Sequence, residues 1–346
     1  MLMGKGSIAN PRVYLPILIL AILLLLPFVA DPYYLNLFIL IFLYAALAGS
    51  WNLIGGYGGQ MSLGHAVYFG IGAYIPTILA IRFGLTPWLG MVAGIGCSWL
   101  ISIIMGAICF RLRGHYFAIS TIILLEVMRL VFLREVGLTG GGVGLSVPYK
   151  GNSLLFFQFL DKTPYFLIAL VILILVIHAN YRLSRSKTGY QLRAVGQNQE
   201  AAEVIGIDSA SIKRKVLGLS AILTSLCGTF WVQYMYFIDP DIAFGLSFST
   251  EIALIAIIGG MGTVWGPVLG AFILRPVVEI TSATLGGTYA GIHLIVYALI
   301  LLAVVIFKPE GLIGLFNPAF SKIIKVLPGG GSADPATTYL GSDRPS

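Results

Sequence analysis

Long apolar stretches follow one another along nearly the whole chain, and short segments with Gly, Pro or charged residues separate them. A transmembrane helix needs about 20 mostly apolar residues, and ten stretches approach that length. They cover residues 13–30, 33–54, 64–81, 87–110, 115–133, 164–183, 216–238, 247–262, 265–284 and 289–307. The third, eighth and ninth are rich in Gly or Pro, so each is expected to be short, broken or re-entrant. The pattern predicts an all-α, polytopic membrane protein with about ten transmembrane helices, or eight if two stretches do not cross.

The basic residues collect in every second segment between these stretches. With the N-terminus placed in the cytoplasm, cytoplasmic segments hold fifteen of the 21 Lys and Arg residues and outer loops hold four, while Arg129 and Arg275 lie inside spans. Lys and Arg accumulate on the cytoplasmic side of membrane proteins. We therefore expect a multi-pass protein with both termini in the cytoplasm.

The composition indicates that lipid covers most of the surface. Hydrophobic residues make up 58% of the chain and charged residues 10%, against about 25% charged residues in soluble domains. Lys5 and Arg12 precede the first stretch in the manner of a signal peptide, but Phe28 stands where a cleavage site needs a small residue. That stretch is therefore expected to remain as a span. The net charge of +7 reflects the cytoplasmic bias and does not indicate nucleic acid as a partner.

The same pattern divides the chain into three parts. Residues 1–12 are expected to be a cytoplasmic N-terminus, residues 13–308 the transmembrane domain, and residues 309–346 a cytoplasmic tail. The tail is rich in Gly, Pro and Ser, so part of it is predicted to be disordered. The outer segment 137–163 is long for a loop and is predicted to form an exposed turn or a partner-docking surface.

Small residues recur at every fourth position of the fourth stretch. Gly90, Gly94, Ser98, Ser102 and Gly106 fall on one helical face. Such ladders let transmembrane helices approach closely. We expect this face to pack tightly on a neighbouring helix, with a closely approached substrate path as the alternative.

The most informative segment is the basic cytoplasmic loop 183–215. The stretch before Glu200 favours a helix with Leu192 and Val195 on one face, and Gly206 is a suitable helix stop. Glu200 begins the pattern E-A-A-x-x-x-G, which ends at Gly206. One interpretation is a short amphipathic helix that a partner domain grips, and the other is an ordinary solvated loop helix.

This pattern resembles the coupling motif of permeases in ATP-binding-cassette importers, and further motifs make the resemblance more specific. Five segments are similar to the signature of the branched-chain amino-acid permease family of LivM type. They are residues 59–65 (GQMSLGH), 69–74 (FGIGAY), 116–119 (YFAI), 138–141 (LTGG) and 259–267 (GGMGTVWGP). The resemblance extends from about residue 35 to residue 310.

The resemblance implies a permease subunit of a bacterial plasma (inner) membrane that carries branched-chain or other hydrophobic amino acids. ATP and Mg would be bound by two separate ATPase subunits, because the chain contains no G-K-[ST] phosphate-binding motif. A second homologous permease and an external substrate-binding protein are the other implied partners, within membrane lipid. The surface held by the ATPase would then include Arg193, Glu200, Ala201, Ala202 and Gly206.

Polar and charged residues inside spans, and in the polar break before the third span, are the candidates for the translocation pathway, because such residues are costly in lipid and usually functional. The candidates are Gln60, Ser62, His65, Glu126, Arg129 and Glu251. His65 follows a polar break, so it either packs as a satisfied side chain or faces a polar cavity.

The charged candidates are spaced for pairing along helices. Glu126 and Arg129 stand three residues apart, and Arg275 and Glu279 stand four apart, so each pair lies on one face. Glu251 has no partner nearby in the sequence. These groups either neutralise each other and face a second permease, or they contact substrate.

Two other transport functions remain open from the sequence. The resemblance implies urea or short amides as the cargo of some family members. A proton-coupled secondary transporter would use Glu126, Glu251 or Glu279 to carry protons and would need no ATPase. An enzyme is not expected, because the three cysteines are isolated and no nucleophile–base or metal-ligand pattern stands out.

Overall fold

The computed structural model describes residues 21–112, 114–285, 298–299, 302 and 311–314. Residues 13–20 of the predicted span 13–30 lie outside the described residues, whereas residues 21–28 are helical. The predicted span 289–307 lies almost entirely outside the described residues. The same holds for the N-terminal segment 1–12 and for most of the tail 309–346, including its predicted disorder.

Helices make up most of the described chain. Those of six residues or more are α1 (Pro32–Ile54), α2 (His65–Arg82), α3 (Pro87–Cys109), α4 (His115–Arg134), α5 (Thr163–Ser184), α6 (Lys187–Gln197), α7 (Gln199–Val204), α8 (Ser209–Met235), α9 (Leu246–Gly260) and α10 (Gly266–Leu285). Single helical turns cover Leu26–Phe28, Val136–Thr139, Gly141–Val143, Pro240–Ala243 and Leu312–Gly314. Two short strands, β1 (Leu145–Ser146) and β2 (Phe237–Ile238), form an antiparallel pair.

Six helical stretches in this part of the chain are long and apolar enough to cross a membrane. They are Pro32–Ile54, Pro87–Cys109, His115–Arg134, Thr163–Ser184, Ser209–Met235 and Pro240–Gly260. Helices pair their backbone groups internally, which a lipid surrounding requires. The predicted all-α polytopic class is confirmed, whereas the count of ten spans stays a prediction.

α2 and α10 occupy two further predicted spans, both of which contain proline. α2 remains helical across Pro76, and α10 remains helical across Pro276. Neither proline ends its helix, because neighbouring helices can satisfy the backbone groups that proline frees. The Gly- and Pro-rich spans are therefore helical, and α9, with 15 residues, is the short one among them.

The segments between the helices gather at two ends of the bundle, and successive spans run in opposite directions. We call the end formed by residues 82–87, 134–163 and 236–246 the sheet end, and the end formed by residues 55–64, 109–115, 184–209 and 261–266 the basic end. At the sheet end Leu145 lies opposite Ile238, and Lys162 donates to the carbonyl of Pro32 at 3.2 Å. The predicted loop 183–215 lies at the basic end.

The sheet-end segment 137–163 has fixed structure of its own. The ring of Trp88 stacks on that of Phe157 with centroids 4.6 Å apart, and its Nε1 donates to the carbonyl of Leu154 at 2.7 Å. Val143 and Leu160 point outward and are highly exposed. The segment thus forms an ordered cover on this end, and its use as a docking surface stays a prediction.

α1 and α8 form the centre of the bundle. α1 packs on α5, α8, α9 and α10, and α8 packs on α2 and α3. The small-residue face of α3 is buried, as predicted, and a Cβ at Gly90 would lie 2.6 Å from the Cα of Pro76. Close backbone approach through small residues therefore joins α2 and α3. α4 lies at the edge of the bundle and is the least buried of the six spans.

Candidate functional site

One buried face holds α6 against the basic end. Leu192 and Val195 are buried, as their spacing predicted, while Tyr190 on the other side is exposed. The helix begins where the Ser186 hydroxyl accepts a hydrogen bond from the N–H of Gly189 at 3.0 Å, which satisfies one free donor of the first turn. Burying a Leu or Val side chain stabilises by roughly 1.5–3 kcal/mol. α6 therefore has a fixed position on the bundle.

The buried face of α6 lies on the segment that follows α1. A Cβ at Gly196 would lie 3.0 Å from the carbonyl carbon of Gly58, so the two backbones meet without side chains between them. The guanidinium of Arg193 lies 5.1 Å from the ring centroid of Tyr57. Burial raises the pKa of the Tyr57 phenol and the nearby Arg193 offsets part of that rise, so the phenol stays neutral. α6 is thus in direct contact with the segment that ends α1.

A polar network locks α7 to the start of α8. Asn198 caps α7 by accepting from a backbone N–H in its first turn at 3.0 Å. Gln199 donates to Glu203 at 2.8 Å and accepts from Lys213 at 2.8 Å. Ser209, at the first position of α8, also donates to Glu203. Because Lys213 is buried, its bond to Gln199 fixes α7 firmly to α8.

The turn after α7 exposes two apolar side chains at the tip of the loop. Val204 is 87% exposed and Ile205 is 75% exposed. Gly206 follows with a φ of +86°, a left-handed conformation that glycine adopts without strain, and its N–H donates to the carbonyl of Glu203 at 3.0 Å. Gly206 thus ends the helix, as predicted. The sequence analysis missed the tip, although two branched apolar residues directly before the motif glycine were a usable signal.

The other motif residues divide between surface and interior. Glu200 and Ala201 are exposed, whereas Ala202 is buried against the bundle. Glu200 lies in the first turn of α7, where a carboxylate interacts favourably with the helix dipole. The E-A-A pattern therefore gives α7 one face that packs on the bundle and one face that is exposed.

A second polar network joins the end of α1 to α5 and to the turn after α9. The Asn52 side chain donates to the carbonyl of Thr263 at 2.9 Å and accepts from the N–H of Gly262 at 2.9 Å. It also donates to the Asn180 side chain at 3.1 Å, and Asn180 donates to the carbonyl of Gly49 at 2.9 Å. Both asparagines are buried. The turn between α9 and α10 is thereby fixed to the part of α1 that leads into the α6 contact.

Ser62 and His65 lie in a buried contact between α1, α2 and α8. Ser220 donates to the carbonyl of Ser50 at 2.6 Å, so its oxygen accepts from Nε2–H of His65 at 2.8 Å. Nδ1 of His65 then accepts from the Ser62 hydroxyl at 3.1 Å. Both ring nitrogens are satisfied, and Gln60 nearby donates to a backbone carbonyl at 3.2 Å. The contact packs the helices together, and a pathway role for these residues stays a prediction.

Arg129 joins α4 to the sheet end through two carboxylates. One of its terminal nitrogens lies 2.6 Å from Glu126 and the other lies 2.5 Å from Asp241. The predicted pair three residues apart is present, whereas Asp241 is 112 residues away from Arg129 and local spacing could not reveal it. The Glu126 and Asp241 side chains are 49% and 67% exposed, so the group, with one more carboxylate than guanidinium, faces outward.

Arg275 joins α10 to α9 in the same way. It lies 2.5 Å from Glu279, the predicted partner, and 2.9 Å from Glu251, which had no partner nearby in the sequence. Its guanidinium also lies 3.9 Å from the ring centroid of Tyr44 on α1. Buried charges are costly unless they are paired, so this group ties three helices together.

The residues of the predicted coupling motif all lie on the loop 183–215, with Ala202 buried and Glu200, Ala201 and Gly206 exposed, whereas the pathway candidates occupy separate places. Ser62 and His65 lie near the basic end, Glu126 and Arg129 lie on the edge helix α4, and Glu251 lies between α9 and α10. Across the described residues, no group of three His, Cys, Asp or Glu side chains is arranged to hold a metal ion.

Known proteins similar to this chain are membrane permeases. The chain is 24% identical to the high-affinity branched-chain amino acid transport system permease protein LivM of Escherichia coli K12, over 91% of this chain and 81% of that protein. It is 22% identical to the LivH permease protein of Salmonella typhimurium, over 81% of this chain and 93% of that protein. It is 28% identical to the nucleoside ABC transporter permease protein NupC of Lactococcus lactis, over 51% of this chain and 59% of that protein. No solved structure matches the chain.

A family comparison covers most of the chain. The family described as the permease component of the branched-chain amino acid transport system matches residues 33–305. This range includes α1 from its second residue, helices α2 to α10, the basic-end loop and all six pathway candidates. The chain therefore belongs to the permease family of branched-chain amino acid transport systems.

Proposed function

We propose that this permease imports branched-chain or other hydrophobic amino acids across a bacterial inner membrane, driven by separate ATPase subunits that bind ATP and Mg. Membership in the family makes the chain a transport permease, and the cargo and the ATPases are the proposed steps. The observation that supports them best is the tip of Val204 and Ile205, which is exposed and yet held rigidly on the bundle.

The way the tip is attached favours a lever between an ATPase and the membrane helices. A pull on α7 passes to α8 through the side chains of Gln199, Glu203 and Ser209. A pull on α6 passes to the end of α1 through Arg193 and Tyr57. Because α1 and α8 form the centre of the bundle, both routes lead to the helices that most others pack on. Alternation between two arrangements of such packed helices is the expected mechanism.

A second, related permease would pack on α4 in this proposal. Much of α4 is exposed, including the side chains of Ile119, Ile123 and Leu130. The Glu126–Arg129–Asp241 group lies beside them. Lipid is a poor neighbour for such a group, because each charge at the centre of a bilayer costs about 2.5–3.5 kcal/mol. A protein partner can supply polar groups there, and the chain resembles both LivM and LivH.

The names of the relatives favour branched-chain amino acids over other cargo. The LivM and LivH proteins match at least 81% of this chain, whereas the nucleoside permease matches 51%. An external binding protein would deliver the cargo to the sheet end, where segment 137–163 forms an ordered cover. Urea and short amides are the alternative cargo, to be tested after the amino acids.

The proposal is tested by placing a charge at the tip. Val204→Asp with Ile205→Asp should abolish copurification of the ATPase and ATP-dependent leucine uptake into proteoliposomes that contain ATP. Val143→Asp is the matched control for copurification, because Val143 is 84% exposed but lies at the sheet end, and it should keep the ATPase bound. Leucine uptake that continues without any ATPase and stops with an uncoupler would instead show a proton-coupled transporter.

A further inference from the structure

A groove opens between α5 and α8 at the basic end, away from the tip of the loop. It has a volume of about 610 Å³ and is lined by His178, Arg182, Ser186, Thr188, Lys215 and Leu219, among others. The lining contains three residues with basic side chains and two hydroxyl side chains, and it contains no carboxylate. The chemistry of the groove therefore fits an anion.

In the part of the chain that the structure describes, the Arg182 and Lys215 side chains of the groove have no anionic partner. Arg182 and Lys215 are exposed, and among the described residues neither makes an ion pair with a carboxylate. Other basic residues nearby are engaged elsewhere. Arg185 lies over the ring of Tyr181 at 4.7 Å, and Arg214 donates to the carbonyl of Ala210 at 3.3 Å.

An apolar face of α5 leads into the groove from the membrane. Leu167, Val171, Ile174 and Leu175 are exposed, and His178 and Arg182 continue the same face at helical spacing. The surface of α5 thus changes from apolar to basic over one to two turns at its end. On the other side, Val216 and Leu219 of α8 line the groove with Lys215. A ligand with an apolar chain and an anionic head fits both parts.

We propose that this groove binds an anionic phospholipid, with the phosphate between Arg182 and Lys215 and an acyl chain along the exposed face of α5. Basic pockets between transmembrane helices at the cytoplasmic face suit such headgroups. The headgroup would touch Ser186 and Thr188, which lie where α5 ends and α6 begins, so the lipid would also support the position of α6. The inference rests on the groove and on the placement of the basic end in the cytoplasm, and it does not depend on the proposed cargo.

The test is lipid binding by the full chain, purified with the subunits that copurify and examined by native mass spectrometry. Phosphatidylglycerol should remain bound in clear excess over phosphatidylcholine, because each nearby basic residue is worth roughly a fivefold change in affinity. Arg182→Gln with Lys215→Gln should remove that preference. Arg185→Gln with Arg214→Gln is the matched control, since it removes the same charge outside the groove lining, and it should keep the preference.

Four results would overturn the proposal. Equal retention of the two lipids by the unchanged protein would show no anionic site, and equal loss in both double variants would show a general effect of charge. Displacement of phosphatidylglycerol by millimolar inorganic phosphate would show a site for a small anion and not for a lipid. A groove that loses its lipid whenever an ATPase copurifies would be a protein-docking surface instead.

Discussion

Gly206 shows how much a single backbone conformation contributes at the tip of the loop 183–215. Its φ of +86° places it where side chains are rarely tolerated, although a Cβ there would meet nothing within 4 Å. The requirement for glycine is therefore conformational and not steric. This position sets the direction in which Val204 and Ile205 leave α7.

Gly206→Ala should lower ATP-driven uptake several-fold with little loss of protein in the membrane. The left-handed conformation costs an alanine about 1–2 kcal/mol, and the turn can relax by moving the tip. Gly84→Ala is the matched control, because Gly84 has a φ of +65° and equally open surroundings but lies at the sheet end. Uptake rates normalised to membrane protein compare the two variants. Equal rates in both variants would contradict a role for the tip.

Asn52→Leu should lower the thermal stability of the purified chain more than removal of an exposed side chain does. The change leaves the N–H of Gly262 and the carbonyl of Thr263 without the Asn52 partner, and a buried polar group left unsatisfied costs about 1–3 kcal/mol. Asn180→Leu should act through the same network, so the double variant should lose less than the two single losses together. Fully additive shifts in melting temperature would show that the two side chains act independently.

At the scale of helices, α6 behaves as a small element clamped by two side chains. Leu192 and Val195 supply nearly all of its buried apolar surface, and Gly196 allows contact with Gly58. The clamp is local, so weakening it should release α6 and leave the membrane helices in place.

Leu192→Ala should therefore reduce coupling while the bundle stays folded. Truncating a fully buried leucine side chain destabilises its contact by about 2–5 kcal/mol. A helix of 11 residues is marginally stable on its own, so α6 cannot offset that loss. Tyr190→Ala on the exposed face is the control and should be close to neutral. The readouts are ATP hydrolysis and leucine uptake by the same preparation, where ATP use without uptake is the expected sign. Unchanged coupling in Leu192→Ala would show that α6 does not transmit force.

Neutralising the Arg129 side chain on α4 should have a larger effect than neutralising the Glu126 side chain. Arg129→Gln leaves Glu126 and Asp241 facing each other without a cation, whereas Glu126→Gln leaves Arg129 paired with Asp241. The first change should thus reduce assembly and uptake far more than the second. Quantifying intact complex from membranes distinguishes them. Similar losses in both variants would indicate that the group does not act as a charged unit.

Local sequence patterns predicted the helices and the contacts within one helix well, but they predicted contacts between residues far apart in the sequence poorly. Apolar length located the spans, and helical spacing located the α6 anchors and the Glu126–Arg129 and Arg275–Glu279 pairs. The same patterns could not place Asp241 beside Arg129 or Glu251 beside Arg275, because those contacts depend on how separate helices pack. The strand pair at the sheet end was missed for the same reason, since two residues per strand leave no periodic signal.

For the molecule as a whole, the two ends of the bundle carry different features. The basic end carries the loop 183–215 and the groove between α5 and α8, and the sheet end carries the ordered segment 137–163. α1 and α8 connect the two ends through the centre. The charge pattern of the sequence assigns the basic end to the cytoplasm, and every proposal above requires that assignment.

The assignment is tested by labelling single cysteines at the two ends. In a chain whose Cys97, Cys109 and Cys227 are replaced by alanine, Leu160→Cys and Val204→Cys each place a thiol at a highly exposed position. A membrane-impermeant maleimide should label the first in intact spheroplasts and the second only after the membrane is broken, because lipid separates the two ends. Labelling of both from one side would contradict the alternation of the spans. The reverse order would put the coupling surface outside the cell, where no ATP is available to drive it.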